Sequence, residues 1–166
     1  MTDMLIKLYD LPDVDAEVEG LATAGIEIRQ PLALDRRHLL RFVDEHFRST
    51  CAGWVDECDA ALLRHPVTCF IAVESASTGT DRIVGFACYD GSAKGFFGPF
   101  GVDAEFRRRG IGRTLLVRTL EAMAHAGYGY AIAGWVSSEE YYANAVGAIA
   151  IPDSYPGIYR RMIRSG

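Results

Sequence analysis

The segment between residues 95 and 135 constrains the fold most, because a strand, a helix and a second strand follow one another there. Gly95–Val102 is a strand-like run that is rich in aromatic residues and ends in Val102. Apolar residues then recur at helical spacing, and Gly127 is the expected C-terminal stop. Tyr128–Trp135 is predicted to be the second strand. Because such a crossover joins parallel neighbours in a sheet, we predict a central βαβ unit in an α/β fold.

The segments before this unit favour antiparallel pairing. Two strand-like runs, Thr68–Glu74 and Arg82–Asp90, are joined to each other and to Gly95–Val102 by short polar turns. Connections of this length indicate an antiparallel meander. Further strands are predicted over Met4–Leu11 and Gly25–Pro31. The sheet is therefore expected to be mixed, mostly antiparallel, and built from six or seven strands.

Helices are predicted to flank this sheet. Asp35 is expected to cap the first of two early helices, and the second covers Ala52–Arg64. A short helix over Ser137–Val146 precedes a final strand region, Ile149–Ile163, which two prolines interrupt.

Composition excludes several classes of function. The 166 residues suit a single domain, over 1–166, in which 1–24 is an N-terminal extension. The net charge of −5 argues against general affinity for nucleic acid. No apolar run reaches the roughly 20 residues that span a bilayer, and a secretory pattern is missing, so we expect a cytoplasmic protein with no membrane partner. The histidines and cysteines lack ligand spacing, and no metal is expected.

The strongest chemical signal lies where the crossover helix begins, at Arg107–Gly112, which we name the glycine junction. The first turn of a helix leaves backbone N–H groups unpaired and carries partial positive charge. Gly110 and Gly112 lack a Cβ, so phosphate oxygens can approach these N–H groups closely. The side chains of Arg107, Arg108 and Arg113 can add charge-assisted hydrogen bonds to phosphate oxygens. The junction therefore predicts a phosphate site, with tight helix–sheet packing as the alternative explanation of the glycines.

The stretch from Val102 to Leu116, Val-Asp-Ala-Glu-Phe-Arg-Arg-Arg-Gly-Ile-Gly-Arg-Thr-Leu-Leu, resembles the acyl-CoA signature of the GNAT superfamily of N-acetyltransferases. Arg107, Gly110 and Gly112 fill the fixed positions of its Arg/Gln-x-x-Gly-x-Gly/Ala pattern. The order of elements is similar from about residue 26 to residue 163, and shorter segments resemble a bacterial subgroup. The resemblance implies the GNAT fold and acetyl-CoA as co-substrate, without a metal. It also implies direct attack on the thioester by a primary amine of a small molecule or peptide, in a ternary complex.

The strand before the junction is weakened by Pro99 and three glycines, which predicts either an irregular edge or a separation from the parallel neighbour. In the family that the chain resembles, such a separation receives the pantetheine arm of the cofactor. The cofactor-binding residues that the resemblance implies are Phe100, Gly101, Val102, Arg107, Arg108, Arg109, Gly110, Ile111, Gly112, Arg113, Thr114 and Asn144.

The stretch Tyr141–Ala148 resembles the family segment that carries the general acid, with Tyr142 at that position and Tyr141 as the alternative. A tyrosine pKa of about 10 suits a hydrogen bond to a thiolate whose acid has a pKa of about 8.5. The alternative is a structural role, in which the rings of Tyr141 and Tyr142 pack the short helix onto the sheet. The general base stays open among four acids: Glu139, Glu140, Asp90 and Glu74.

The acceptor amine is not fixed by the sequence, although the acidic balance favours a small cationic amine. Aromatic residues of the early helices and the last hairpin are the expected pocket lining: Phe42, Phe47, Trp54, Tyr155 and Tyr159. The competing function is a non-catalytic acyl-CoA-binding sensor or regulatory module. A homodimer is left open.

Overall fold

The computed structural model describes residues 1–77 and 79–163. Its seven strands are β1 (Thr2–Lys7), β2 (Ile26–Arg29), β3 (Cys69–Ser75), β4 (Asp81–Tyr89), β5 (Phe96–Val102), β6 (Tyr130–Val136) and β7 (Ile149–Ala150). Its α-helices are α1 (Asp15–Thr23), α2 (Arg36–Phe47), α3 (Trp54–Leu62), α4 (Ile111–His125) and α5 (Glu139–Val146). Short 3₁₀ helices cover Ala33–Asp35, Ala104–Phe106 and Gly157–Arg161.

The strands form one sheet in the order β2-β3-β4-β5-β6-β1-β7. Strands β5 and β6 are parallel and are joined by α4, while the other neighbouring pairs are antiparallel. The predicted mixed, mostly antiparallel sheet with a central βαβ crossover is confirmed.

Apolar residues bury both faces of the sheet. Helix α4 packs on one face through Leu115, Leu116 and Leu120, all fully buried. Helices α2 and α3 pack on the other face around Phe86 and Val43. The apolar stripe of α4 thus fixes the start of this helix, and with it the glycine junction, beside the end of β5.

The N-terminal segment is built into this sheet. Strand β1 pairs with β6 over most of its length and with β7 on its other side. Helix α1 is tied to α4 by two ion pairs, Glu17–Arg113 and Asp15–Arg118. The expected extension over 1–24 therefore contributes both a strand beside β6 and a contact with the start of α4.

The final strand region predicted over 149–163 is wrong. Only Ile149–Ala150 pairs with β1, and the chain then turns and forms the 3₁₀ helix Gly157–Arg161. Pro152 and Pro156 have no N–H for a ladder, and Gly157 adopts a left-handed φ of 58°. The last hairpin expected near the acceptor is instead a loop ending in a helical turn.

Asp35 does not cap α2 as expected. Its carboxylate accepts hydrogen bonds from the Arg29 guanidinium and from the Leu32 N–H, each at 2.8 Å. The hydrogen bond from Arg29 lowers the pKa of Asp35. This side chain therefore fastens the turn before the helix to β2.

We expect Ile6→Ala in β1 to lower the free energy of unfolding by about 2–5 kcal/mol, because Ile6 is 0% exposed and its removal leaves a cavity. Leu34→Ala is the control: Leu34 is 86% exposed, and a change within about 0.5 kcal/mol is expected. Denaturant unfolding measures both. Equal, small effects of the two substitutions would mean that β1 is not part of the core.

Candidate functional site

The glycine junction forms a turn whose backbone alternates in conformation. Arg107 is extended, at φ −65° and ψ 160°, whereas Arg108 and Gly110 are left-handed, at φ 62° and 83°. Such alternation turns successive N–H groups toward a common centre, as in anion-binding backbone nests. Because α4 begins directly afterwards, at Ile111, its first turn adds further N–H groups and partial positive charge.

Gly112 lies where the junction meets β5 and α5. A Cβ at this position would come within 3.4 Å of both the Phe100 ring and the Tyr141 hydroxyl. The absence of a side chain thus keeps the backbone of the first helical turn open between these two groups.

The arginines of this region have different partners. The Arg107 Nε donates to the Val102 carbonyl oxygen at 3.3 Å, at the end of β5. The Arg109 guanidinium lies 4.6 Å over the Phe106 ring and donates to the Glu105 carbonyl oxygen.

Arg113 is paired with Glu17 of α1. None of the hydrogen bonds or ion pairs among the described residues involves the Arg108 guanidinium. The Arg107 side chain is therefore held at the end of β5, while those of Arg109 and Arg113 are held over Phe106 and against α1.

Two further predicted residues contribute only backbone. Ile111 is fully buried in the core between α4 and the sheet. Thr114 is also fully buried, and its hydroxyl donates to the Gly110 carbonyl oxygen at 2.9 Å. This bond stabilises the first turn of α4 and leaves the Thr114 side chain facing away from solvent.

Strands β5 and β6 pair over only two residue pairs, Phe96–Ile132 and Phe97–Ala133. Beyond them the strands separate, between Gly98 of β5 and Gly134 of β6; we name this point the fork. The predicted separation of the parallel strands is thus present in the structure.

The open side of β5 carries free backbone groups. The Asp103 N–H donates to the Val84 carbonyl oxygen of β4 at 2.9 Å, and Gly101 lies opposite Phe86. Because hydrogen-bonding direction alternates along a strand, the N–H groups of Phe100 and Val102 point away from β4, into the gap beyond the fork.

Strand β6 bulges at the same level. Trp135 has a left-handed φ of 49°, and its N–H donates to the buried Asp3 carboxylate at 3.0 Å. The register with β1 shifts at this point. Sequence reasoning missed this feature, although a glycine inside a strand, Gly134, is a signal for a bulge.

Helix α5 places two tyrosines, Tyr141 and Tyr142, beside the gap between β5 and β6. Ser138 caps the helix by accepting from the Tyr141 N–H, and Gly147 ends it at φ 64°. The Tyr141 ring stacks on Phe100, with 6.2 Å between centroids, and its hydroxyl faces the junction near Gly112.

The Tyr142 ring instead meets Phe97 edge-on at 6.3 Å, beside the fork. Burial raises the pKa of Tyr142 well above its ordinary value, and Tyr141 adds to the increase. Burial also raises the pKa of Tyr141, against an opposing effect of Arg113. Both phenols therefore stay protonated at neutral pH.

The predicted acids and amide do not join these tyrosines. Glu139 and Glu140 lie exposed in the first turn of α5, and Asn144 is exposed on its outer face. Asp90 accepts from the Tyr128 hydroxyl at 2.7 Å, and Glu74 pairs with Arg82 at the other end of the sheet. None of them is brought to the fork by the contacts of the described residues.

The opposite face of the sheet is aromatic. A Cβ at Gly101 would come 2.6 Å from the Phe47 ring, which contacts Trp54 and Phe86. Trp135 packs on Tyr159, with 4.4 Å between ring centroids, and on Tyr155. Of the expected pocket residues, Trp54, Tyr155 and Tyr159 thus lie on this face, partly accessible.

A cavity of about 630 Å³ lies elsewhere, between α2 and the β2–β4 part of the sheet. Its lining is mostly charged and includes Arg41, Glu45, His46 and Asp103. It includes neither the tyrosines nor the glycines of the junction.

No helix among the described residues is long and apolar enough to cross a membrane. Across residues 1–77 and 79–163, no group of three or more His, Cys, Asp or Glu side chains is arranged to hold a metal ion.

Comparison with known families agrees with the geometry. The model of the family described as "Acetyltransferase (GNAT) family" matches residues 34–147, which is more than half of the chain. The chain therefore belongs to the GNAT acetyltransferase family. A comparison with curated proteins gives no match.

Solved structures share the fold at low identity. One is the fungal glucosamine N-acetyltransferase region of a multi-domain β-N-acetylglucosaminidase, with TM-score 0.65, 16% identity, and coverage of 90% of this chain and 19% of that chain. Another is an N-acetyltransferase from Sphaerobacter thermophilus, with TM-score 0.60, 23% identity, and coverage of 90% of this chain and 48% of that chain. The present chain thus spans about a fifth and about half of these two proteins, and at such identities the likeness shows the fold alone.

Proposed function

We propose that this chain transfers the acetyl group of acetyl-CoA to a primary amine of a small molecule or peptide, by direct attack in a ternary complex. The observation that carries the proposal is the gap between β5 and β6, which opens beside the glycine junction. A gap with free strand N–H groups suits an extended amide-bearing arm, and the junction suits the pyrophosphate to which that arm is attached.

The cofactor pyrophosphate would lie on the N–H groups of the junction, from Arg108 to Gly112. Arg107 and Arg108 supply positive charge there. The pantetheine arm would then run along β5 like an additional strand. The free N–H groups of Phe100 and Val102 can donate hydrogen bonds to its amide oxygens. This path would lead from the junction to the fork and would put the thioester at the fork.

At the fork, a backbone N–H of β5 would polarise the thioester carbonyl, because a preorganised donor stabilises the developing oxyanion. Tyr142 is the nearer of the two tyrosines to this point, since its ring packs on Phe97. We assign it the donation of a hydrogen bond, and then of a proton, to the departing thiolate. Its raised pKa keeps the phenol protonated before the reaction but makes the proton transfer itself less favourable. Tyr141, close to Gly112, would instead contact the cofactor near its phosphates.

We expect acetyl-CoA at 100-fold excess over its Kd to add about 2.7 kcal/mol to the free energy of unfolding. Because about 1 kcal/mol shifts the Tm of a domain of this size by roughly 2–4 °C, the expected increase in Tm is roughly 5–11 °C. Thermal unfolding with and without acetyl-CoA measures it.

The variant for this test is Gly112→Val, which fills the space beside Phe100 and is expected to abolish the increase. Gly129→Val is the matched control, because a Cβ at Gly129 meets nothing within 4 Å, and it should keep the increase. If the parent protein shows no increase in Tm, the glycine junction is structural and the proposal fails.

We expect Tyr142→Phe to lower kcat by about 100-fold with little change in the KM for acetyl-CoA, because a general acid typically contributes 10²–10⁴-fold. Tyr141→Phe is expected to act mainly on KM. Release of free thiol measures both, with 2-phenylethylamine, tryptamine, spermidine, glucosamine and a lysine peptide as acceptors; glucosamine is included because the fungal neighbour is described as acting on it.

A loss of kcat in Tyr141→Phe with normal turnover in Tyr142→Phe would reverse the assignment. Binding of acetyl-CoA without turnover of any amine would support a sensor or regulatory module instead of an enzyme.

A further inference from the structure

A chain of polar side chains lies on the aromatic face of the sheet and joins three distant segments. Glu57 of α3 accepts a hydrogen bond from the hydroxyl of Ser92, in the loop between β4 and β5. The pKa of Tyr159, in the C-terminal 3₁₀ helix, is lowered by the Ser92 hydroxyl and raised by the Glu57 carboxylate, which groups this phenol with the other two side chains. Glu57 is half-buried, and the hydrogen bond from Ser92 holds its carboxylate against the loop between β4 and β5.

The outer end of this chain reaches the fork. A Cβ at Gly134 would come 2.9 Å from the Tyr159 hydroxyl and 3.2 Å from the Phe96 ring. Gly134 is the first residue of β6 beyond the last pair with β5. The Tyr159 hydroxyl therefore lies at the point where the proposed function places the thioester.

Tyr142 and Tyr159 approach the fork from opposite faces. Phe97 and Ala133 point toward the α4 and α5 side, where Tyr142 packs. Phe96 and Gly134 are their neighbours in sequence, and successive positions in a strand point to opposite faces. The proton donor for the thiolate is thus on one side of the sheet, and the Glu57–Ser92–Tyr159 chain is on the other.

We infer that the acceptor amine enters from the aromatic face and delivers its proton to Glu57 through Tyr159 and Ser92. This inference rests on the proposed function and supplies the base that the sequence left open. Sequence reasoning missed Glu57, since nothing in the local pattern of α3 distinguishes it from the exposed Asp56 beside it.

The protons balance along this route. The ammonium form of the amine gives a proton to the Tyr159 oxygen, the Tyr159 proton passes to the Ser92 oxygen, and the Ser92 proton passes to the Glu57 carboxylate. The neutral amine then attacks the thioester carbon, and the C–S bond breaks as the C–N bond forms. Tyr142 protonates the thiolate and is reprotonated by the second proton that the nitrogen loses. Glu57 returns its proton to solvent.

The charges around this chain suit a basic amine. Burial raises the pKa of Glu57, and the nearby Asp56 raises it further. The hydrogen bond from Ser92 acts in the opposite direction and lowers it. Burial also raises the pKa of Tyr159; Ser92 lowers it, while Glu57, Asp3 and Cys51 raise it. A carboxylate with a raised pKa is a better proton acceptor near neutral pH. The ring of Trp135 against Tyr159 offers an aromatic surface to the entering cation.

The test is Glu57→Gln, whose amide oxygen can still accept the Ser92 hydrogen bond. With 2-phenylethylamine at pH 7 we expect kcat/KM to fall about 100-fold, while the increase in Tm with acetyl-CoA is unchanged. The loss should shrink as the pH rises, because solvent then deprotonates the amine. The loss of kcat/KM should also shrink with the less basic β,β-difluoro analogue of this amine. If another amine of the panel is the better substrate, its pH profile is measured in the same way. Ser92→Ala should show the same pH profile, since it interrupts the route and leaves Glu57 in place.

Glu19→Gln, on an exposed position of α1, is the charge-matched control and should leave the pH profile unchanged. A loss in Glu57→Gln that is equal at every pH and for both amines would mean a merely structural role and would overturn the inference, as would full activity of the variant. Failure of the parent protein to bind acetyl-CoA or to acetylate any amine would instead overturn the proposed function itself.

A second readout does not depend on the acceptor. Because the folded protein raises the pKa of Glu57 above its unfolded value, the folded state binds more protons between these two values. The free energy of unfolding of the parent protein should therefore fall relative to that of Glu57→Gln as the pH rises through this window. Parallel pH dependences of the two proteins would contradict the environment assigned to Glu57.

Discussion

The early end of pairing between β5 and β6 is the constraint on which the rest of the site depends. Parallel strands normally satisfy each other's backbone groups, but here only two residue pairs do so, next to Gly98 and Gly134. The N–H groups beyond them on β5 are left for another partner. Because α4 starts where β5 ends, the same break also sets the unpaired N–H groups of the glycine junction beside this gap.

Separation from β5 leaves β6 supported mainly by β1. The N-terminal strand pairs with β6 from Thr2 to Lys7, and the Asp3 carboxylate accepts a hydrogen bond from the Trp135 N–H at the bulge. The segment that follows, α1, reaches the start of α4 through the Glu17–Arg113 pair. The N-terminal residues therefore stabilise both walls of the gap, although none of them carries the chemical motifs.

Local patterns were enough to predict the βαβ crossover, the meander and the glycine junction, since each depends on spacing within one stretch of chain. The final strand was predicted wrongly, because Pro152 and Pro156 have no N–H groups for a ladder and pairing with β1 stops after Ala150. The partner of Arg113 could not be predicted, because Glu17 lies 96 residues away in sequence and only the folded chain brings the two together. Glu57, Ser92 and Tyr159 come from three segments that only the folded sheet brings together.

Hydrogen exchange of backbone amides, with and without acetyl-CoA, tests the central claim most directly. If the cofactor lies along the open side of β5 with its pyrophosphate on the junction, exchange should slow at Phe100, Val102 and residues 108–112. The amides of β3, on the far side of β4, should be unaffected by the ligand. Unchanged exchange at Phe100 and Val102 under saturating acetyl-CoA would contradict the account, because the gap would then have no role in binding.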